Sequence, residues 1–371
     1  MKDSINTRTS QSRSSRMIDV ARLARVSHQT VSRVLNASAA VGPELTERVQ
    51  SAIQLLGYKR NSAARALATR RSMSFGVMSF GLSLYGPSIM LFGIAEAARE
   101  VGYTTNLVTL GDFRHETVQS AFDYLLEASV DGCVVIAPVR GEMDVVRRLS
   151  ADVPIVSFAP GLANGTTSVA LDEVLAARLA TRHLLELGHK SVWHVCGPEG
   201  WLGAEARIQG WRAELAAARR VAHRTIVGED WSAQSGYKAG QLIARDREVT
   251  AVFVANDQMS LGLLQALHDA GLRVPQDVSV VGFDDIPEAA YFQPALTTVR
   301  LDFAAVGRHS VSLLLDAIRG PPLRGTSLPV PQLIVRASSG PPPIAGGNLP
   351  SLAGPKVARV PPRAERCPKS G

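Results

Sequence analysis

The chain has 371 residues, 46% of them hydrophobic and 20% charged, with a formal net charge of +7. This length allows two or three domains with sizeable cores, and the balance is that of an ordinary soluble composition. No apolar run approaches the ~20 residues that a helical membrane span needs. The three cysteines show no CxxC or Cys/His spacing, so a zinc centre has no support and Cys133 and Cys196, inside apolar runs, are expected to be reduced structural thiols. No metal or cofactor is expected. The charge is unevenly spread: residues 1–72 hold 13 Lys/Arg against 4 Asp/Glu, residues 73–339 hold 22 against 28, and residues 340–371 hold 5 against 1. A basic module on a mildly acidic body points to a polyanion as the module's partner.

Taken in chain order, residues 1–16 are polar and rich in Ser and Arg without periodicity, which predicts a disordered basic arm. They contain no apolar stretch of the kind that directs secretion, and a cytoplasmic protein is expected. Residues 17–60 read as a three-helix headpiece. Ile18, Val20 and Leu23 fall on one side of a first short helix, and Val31, Val34 and Leu35 on one side of a second. Ser27 suits the N-cap of the second helix, leaving His28, Gln29, Ser32 and Arg33 to point outward. Arg presents a fork to guanine O6 and N7, and Gln an amide to adenine N7 and N6, so a helix carrying Gln29 and Arg33 in its early turns suits a major groove. Gly42-Pro43 opens a third helix and Gly57 closes it, with Leu45, Val49, Ile53 and Leu56 at helical spacing. Residues 61–72, NSAARALATRRS, have the composition of a linker.

From 73 to 336, short β-branched runs alternate with longer amphipathic ones. Strands are predicted near 75–80, 104–110, 132–136, 155–158, 192–196, 251–255 and 278–283. Helices are predicted near 89–101, 117–128, 175–187, 205–219, 235–245, 260–270 and 303–318. Such alternation means parallel sheets covered by helices on both faces, and the length suits two such lobes with a ligand cleft at the carboxyl ends of the strands. The boundaries expected are about 73–171 with 303–328 for lobe 1, and about 172–302 with 329–336 for lobe 2. Residues 337–371, rich in Pro and Gly, are expected to form a disordered tail. No Walker loop, G-x-S-x-G elbow or G-x-G-x-x-G is present, so neither nucleotide hydrolysis nor esterase chemistry is supported.

The stretch DVARLARVSHQTVSRVLN, residues 19–36, resembles the headpiece signature of the lactose and galactose repressor (LacI/GalR) family of transcriptional regulators. The resemblance covers roughly 17–336. It is carried further by GAEARIQGW, EDWSAQSGY, VANDQMSLG, VSVVGFDD and PALTTVRLDF. It implies a helix-turn-helix headpiece joined to a two-lobed α/β effector domain like a periplasmic binding protein. By its motif positions, Ser27, His28, Gln29, Thr30, Ser32, Arg33 and Asn36 contact DNA. Residues 61–72 form a hinge helix whose Asn61, Ala64 and Leu67 reach the minor groove, with Leu67 as an apolar wedge between base pairs. Leu84, Pro87, Arg207, Trp231, Asn256, Asp284 and Phe303 fall on effector-binding positions. Sugars need Asp, Asn and Arg as hydroxyl partners and an aromatic face for their C–H patches, and these residues supply both. Taken singly, Asn256 and Asp257 also fit helix caps, GFDD a turn, Arg207 a surface ion pair and Trp231 a core aromatic.

The resemblance thus implies a repressor that binds a pseudo-palindromic operator as a homodimer and responds to a sugar or glycoside. Departures qualify it. Phe80, Ile136, Gly203 and Leu301 stand where a galactoside-binding relative carries polar groups, which predicts a less polar cleft. Arg25 replaces a turn glycine, Arg60 a proline before the hinge, and Arg16 a threonine cap. Two other classes share the architecture: a sugar-binding transport protein, and an enzyme acting on a sugar with Asp284 or Asp285 as acid or base.

Overall fold

A computed structural model of the chain describes residues 15–35, 41–58, 71–111, 114–136, 139, 153–158, 167–222, 225–319 and 328–343. The predicted hinge with Asn61, Ala64 and Leu67, the position of Asn36, the arm before Ser15 and the tail after Pro343 lie outside the described residues. The chain divides at Ser72 into two units.

In the first unit, α1 (Met17–Leu23), α2 (His28–Leu35) and α3 (Pro43–Leu56) enclose a small core of Val20, Ala21, Ala24, Val31, Val49 and Ala52. The buried side of α1 is therefore Val20, Ala21 and Ala24, and the expected Ile18 and Leu23 are exposed, as is Leu45 on α3. The helices approach each other closely enough that alanine fills the contact. Gly57 adopts φ 57° and ends α3 while the Tyr58 N–H returns to the Ile53 carbonyl. The α1–α2 turn places Arg25 at φ 52°, the left-handed conformation that a side chain with a Cβ adopts at a cost of roughly 1 kcal/mol. The Arg48 guanidinium donates to the Ala24 carbonyl at 2.7 Å and ties α3 to this turn.

The second unit contains two sheets. The first has the order β2-β1-β3-β4-β5, all parallel, from β1 (Ser74–Phe80), β2 (Thr104–Leu110), β3 (Gly132–Ile136), β4 (Ile155–Phe158) and β5 (Thr167–Val169). The helices α4 (Tyr85–Glu100) and α5 (His115–Glu127) connect its first three strands. The second sheet has the order β11-β10-β9-β8-β6-β7, in which β6 (Trp193–Cys196), β7 (Thr225–Val227), β8 (Ala251–Val254), β9 (Ser279–Asp284) and β10 (Thr297–Arg300) run parallel. Only the edge strand β11 (Gln332–Ile334) is antiparallel. Helices α6 (Glu173–Glu186), α7 (Leu202–Ala217), α8 (Ala233–Ile243) and α9 (Asp257–Asp269) belong to this half, whereas α10 (Phe303–Arg319) returns to pack on α4, β3, β4 and β5.

Both sheets thus repeat one doubly wound order, and the chain passes between them three times, before α6, before α10 and before β11. The strands β1, β3, β4, β8 and β9 are buried on both faces, which explains their continuous apolar runs.

The ordered chain continues past the expected boundary at 336. The Ser338 hydroxyl accepts from the Thr297 N–H at 2.8 Å and donates to the Val280 carbonyl at 2.6 Å, and Ser338 is fully buried. The His189 ring bonds to the Gly340 carbonyl at 3.0 Å. Residues 337–343 are thus part of the second sheet's surroundings, because small hydroxyl side chains there satisfy buried backbone groups. Composition alone does not reveal that role.

Candidate functional site

The headpiece offers one face. Ser27 receives the Thr30 N–H on its hydroxyl at 3.1 Å, and the two hydroxyls share a further bond of 2.9 Å, so this pair caps and stiffens the start of α2. Beyond it His28, Gln29 and Arg33 are exposed and Ser32 is half-buried, while Val31 on the opposite side is fully buried. The apolar side of α2 is consumed by the core and its polar side is presented outward from the first turns. That is the geometry by which a helix end reads base edges.

The body offers a cleft lined by residues from both sheets and their helices. Leu84, Tyr85, Pro87 and Met90 at the start of α4 and Phe158 at the end of β4 come to it from the first sheet's side, and Phe303 begins α10. From the second sheet's side come Glu173, Trp201, Gly203, Arg207, Trp231, Asn256, Gln258 and Asp284. All seven residues singled out from the sequence line this one cleft.

Arg207 is its electrostatic centre. Burial of a guanidinium requires partners, and Arg207 has several: its Nε donates to Glu173 at 2.9 Å, one terminal nitrogen donates to the Ala255 carbonyl, and the other lies 3.8 Å from Asp284. Its plane rests 3.9 Å over the Phe283 ring and 5.3 Å from that of Trp231. Asp284 sits at the carboxyl end of β9 with φ 102°, a conformation that costs on the order of 1–3 kcal/mol and turns its carboxylate into the cleft. Burial holds its carboxyl well above the usual carboxylate range, against the pull of Arg207. Among the described residues, Asp284 Oδ1 and Trp231 Nε1 are buried without a hydrogen-bond partner. An acceptor and a donor left open in one cleft form an incomplete site, since buried polar groups are otherwise paired.

Trp231 is placed by a glycine: a Cβ on Gly197 would lie 2.2 Å from the indole, so only a bare backbone lets the ring settle there. Asn256 lines the cleft but its amide is already engaged. Its Oδ1 caps α9 by accepting from Met259 N at 2.8 Å, and its Nδ2 holds the Trp231 carbonyl at 3.1 Å. The neighbouring carboxylates are structural. Asp257 accepts from Phe283 N, Ile286 N and Thr298 Oγ1, and Asp285 is fixed by Arg300 at 2.6 Å and Arg336 at 2.7 Å.

Of the positions expected to make the cleft less polar, Gly203 lines it. Ile136 and Leu301 are buried elsewhere in the core, and Phe80 touches Trp201 of the cleft through its ring. Tyr85, Met90, Phe158, Glu173, Trp201 and Gln258 were not identified from sequence. Tyr85 and Gln258 flank motif residues, but nothing local marks Phe158 or Trp201.

Residues 16–61 match the family model described as bacterial regulatory proteins, lacI family, and residues 181–339 match a periplasmic binding protein-like domain. The chain is 32% identical over 327 residues to the lactose operon repressor of Escherichia coli (strain K12), an alignment covering 87% of this chain and 90% of that protein. It is 35% identical to the transcriptional regulator CelR of Thermobifida fusca, covering 81% and 91%. Among solved structures, the Lac repressor dimer bound to operator and the anti-inducer ONPF matches with a TM-score of 0.78 at 32% identity, over 88% of this chain and all of that one. A CelR–cellobiose complex matches at 0.64 and 31%, with the same coverage.

Proposed function

The chain belongs to the lacI family of bacterial regulatory proteins, and we propose from that premise that it represses transcription by binding a pseudo-palindromic operator as a homodimer, under the control of a sugar-like effector in the cleft. Members of this family regulate transcription and are not enzymes. The ion pairs that fix both oxygens of Asp285 agree with this, since a carboxylate so engaged does not move protons. Among the described residues no helix is long and apolar enough to cross a membrane. We place the protein in the cytoplasm, with DNA.

The observation that carries the effector half is the pair of unpartnered polar atoms, Asp284 Oδ1 and Trp231 Nε1, beside a guanidinium that Glu173 and the Ala255 carbonyl hold in place. A hydroxylated ring lying on Trp231 would offer a donor to the first and an acceptor to the second. Arg207 orients the carboxylates and supports the ring from below. Asn256 contributes by fixing the loop that carries Trp231. Leu84, Pro87 and Phe303 exclude water from the opposite side.

On the DNA side, His28, Gln29, Ser32 and Arg33 read bases, Ser27 and Thr30 set the helix start against the phosphates, and Asn36, Asn61, Ala64 and Leu67 extend the contact. Selection of sites from randomised DNA by the full chain should return a palindrome. Arg33→Ala should lose about 1–3 kcal/mol at one base pair per half-site and accept other bases there. An unchanged preference in that variant removes Arg33 from the readout, and salt-sensitive binding without any selected sequence removes the operator.

A further inference from the structure

In the cleft two buried carboxylates face one guanidinium. Arg207 on α7 gives its Nε–H to Glu173, the first residue of α6, at 2.9 Å, while its nearest terminal nitrogen stays 3.8 Å from Asp284 Oδ1, beyond hydrogen-bond reach. Glu173 thus neutralises Arg207, and the charge of Asp284 has no close counter-ion. The other charged groups around β9 are engaged among themselves. Asp257 on α9 is enclosed by Phe283 N, Ile286 N and Thr298 Oγ1, and Arg300 and Arg336 both hold Asp285. Burial favours the protonated form of Asp284, so a proton stands in for a missing cation. The surroundings suit a cation. Trp231 and Tyr85 line the same cleft, and aromatic rings attract positive charge across their faces. Tyr85 comes from the first sheet's side, and its phenol is held up by burial and then by the Asp284 carboxylate, so the two groups are near each other across the cleft.

We propose that the effector carries a protonated amine beside its hydroxyls, as an amino sugar does, with the ammonium group paired to Asp284 and a neighbouring hydroxyl oxygen accepting from Trp231 Nε1. This rests on the reading of the cleft as an effector site. A neutral hydroxyl satisfies the hydrogen bond of Asp284 but not its charge, whereas an ammonium satisfies both. Binding then releases a proton: the amine arrives protonated, Asp284 gives its proton to solvent, and the pair that remains is an ammonium and a carboxylate. Glu173 sets the preference at one remove as a positioning residue, because without its charge Arg207 becomes the counter-ion of Asp284.

The test is calorimetric titration of the full chain with the methyl glycosides of glucose and galactose, their mono-amino derivatives at C2, C3, C4 and C6, and the N-acetyl forms of these, in two buffers of different ionisation heat. At least one amino sugar should bind about tenfold or more tightly than both its parent and its N-acetyl form, with release of a proton. Asp284→Asn and Glu173→Gln should each remove most of that preference. Amino sugars that bind no better than their parents, binding without proton release, or a preference that survives in both variants overturns the assignment while leaving the cleft an effector site. Binding by none of the compounds overturns the sugar-like reading of the cleft and this assignment with it.

Discussion

At the scale of single residues, the positions that matter most are buried polar groups whose environment fixes their state. His194 on β6 is fully buried, stacked 4.6 Å from the Phe253 ring, and its Nδ1–H donates to the Phe253 carbonyl at 3.0 Å. Burial pushes its imidazole down to about 4, against the pull of that carbonyl. A base whose folded pKa lies below its unfolded value near 6.5 binds fewer protons in the folded state. Its contribution is therefore complete above pH 6.5 and is lost as pH falls through that window towards 4, by about 3 kcal/mol. His194→Phe keeps the stack and removes the titration. Urea unfolding at pH 7 and pH 4 should show the stability gap between wild type and variant moving by about that amount in the variant's favour as the solution is acidified, and a gap that stays constant would show His194 to be irrelevant to acid sensitivity.

Residue roles were legible in the sequence where a motif fixed them and obscure where packing did. Arg207, Trp231 and Asp284 could be named because their neighbours in the chain carry a signature. The sequence also left open whether Asn256 was a cap or a ligand contact. The structure shows it capping α9 while lining the cleft, two roles that one amide can combine. Trp201 and Phe158 gave no warning, because their position in the cleft depends on the meeting of two sheets distant in sequence.

At the scale of elements, the long apolar strands and amphipathic helices were readable to within a few residues, since their burial demands the pattern. The short strands β5, β7, β10 and β11 were not. β10 shows why: it is an interior strand, yet Thr297 and Thr298 are fully buried there because Ser338, Ser339 and Asp257 satisfy them. Those partners lie some 40 residues away, beyond any local window. The headpiece helices differ in detail from the pattern, as Ile18 and Leu23 have the hydrophobicity of core residues but alanines occupy the contact.

Glycines set how closely the helices of the body approach. A Cβ on Gly262 of α9 would lie 1.7 Å from the Ala233 carbonyl oxygen, and one on Gly236 of α8 would lie 1.9 Å from that of Met259, so the two helices cross with backbones in contact. Because backbone atoms cannot swing away as a side-chain tip can, Gly262→Ala should cost about 1–3 kcal/mol or more through overpacking. Gly111→Ala, with open space around its Cβ, should stay within about 0.5 kcal/mol. Denaturant unfolding of the two variants compares them directly, and equal small losses would show that the helix pair separates without cost.

At the scale of the whole molecule, residues 1–72 carry the excess of basic groups while the body bears an excess of acidic ones, the same sign as DNA. Salt-sensitive contacts therefore belong to the headpiece, and the body contributes through the state of its lobes. Three chain passages between two sheets with one strand order form a hinge-like arrangement in which a ligand bridging both sides favours one lobe geometry. A ligand shifts such an equilibrium only by its differential affinity for the two states, and the coupling is reciprocal.

That reciprocity provides the most direct measurement. The full chain is titrated with its selected operator at fixed salt, with and without the tightest-binding member of a panel of methyl glycosides, and then with that glycoside in the presence and absence of operator. The account predicts that operator affinity changes by roughly 5–150-fold and that the glycoside's affinity changes by the same factor. Operator affinity that is identical with and without a glycoside shown to occupy the cleft would contradict control of the headpiece from the body.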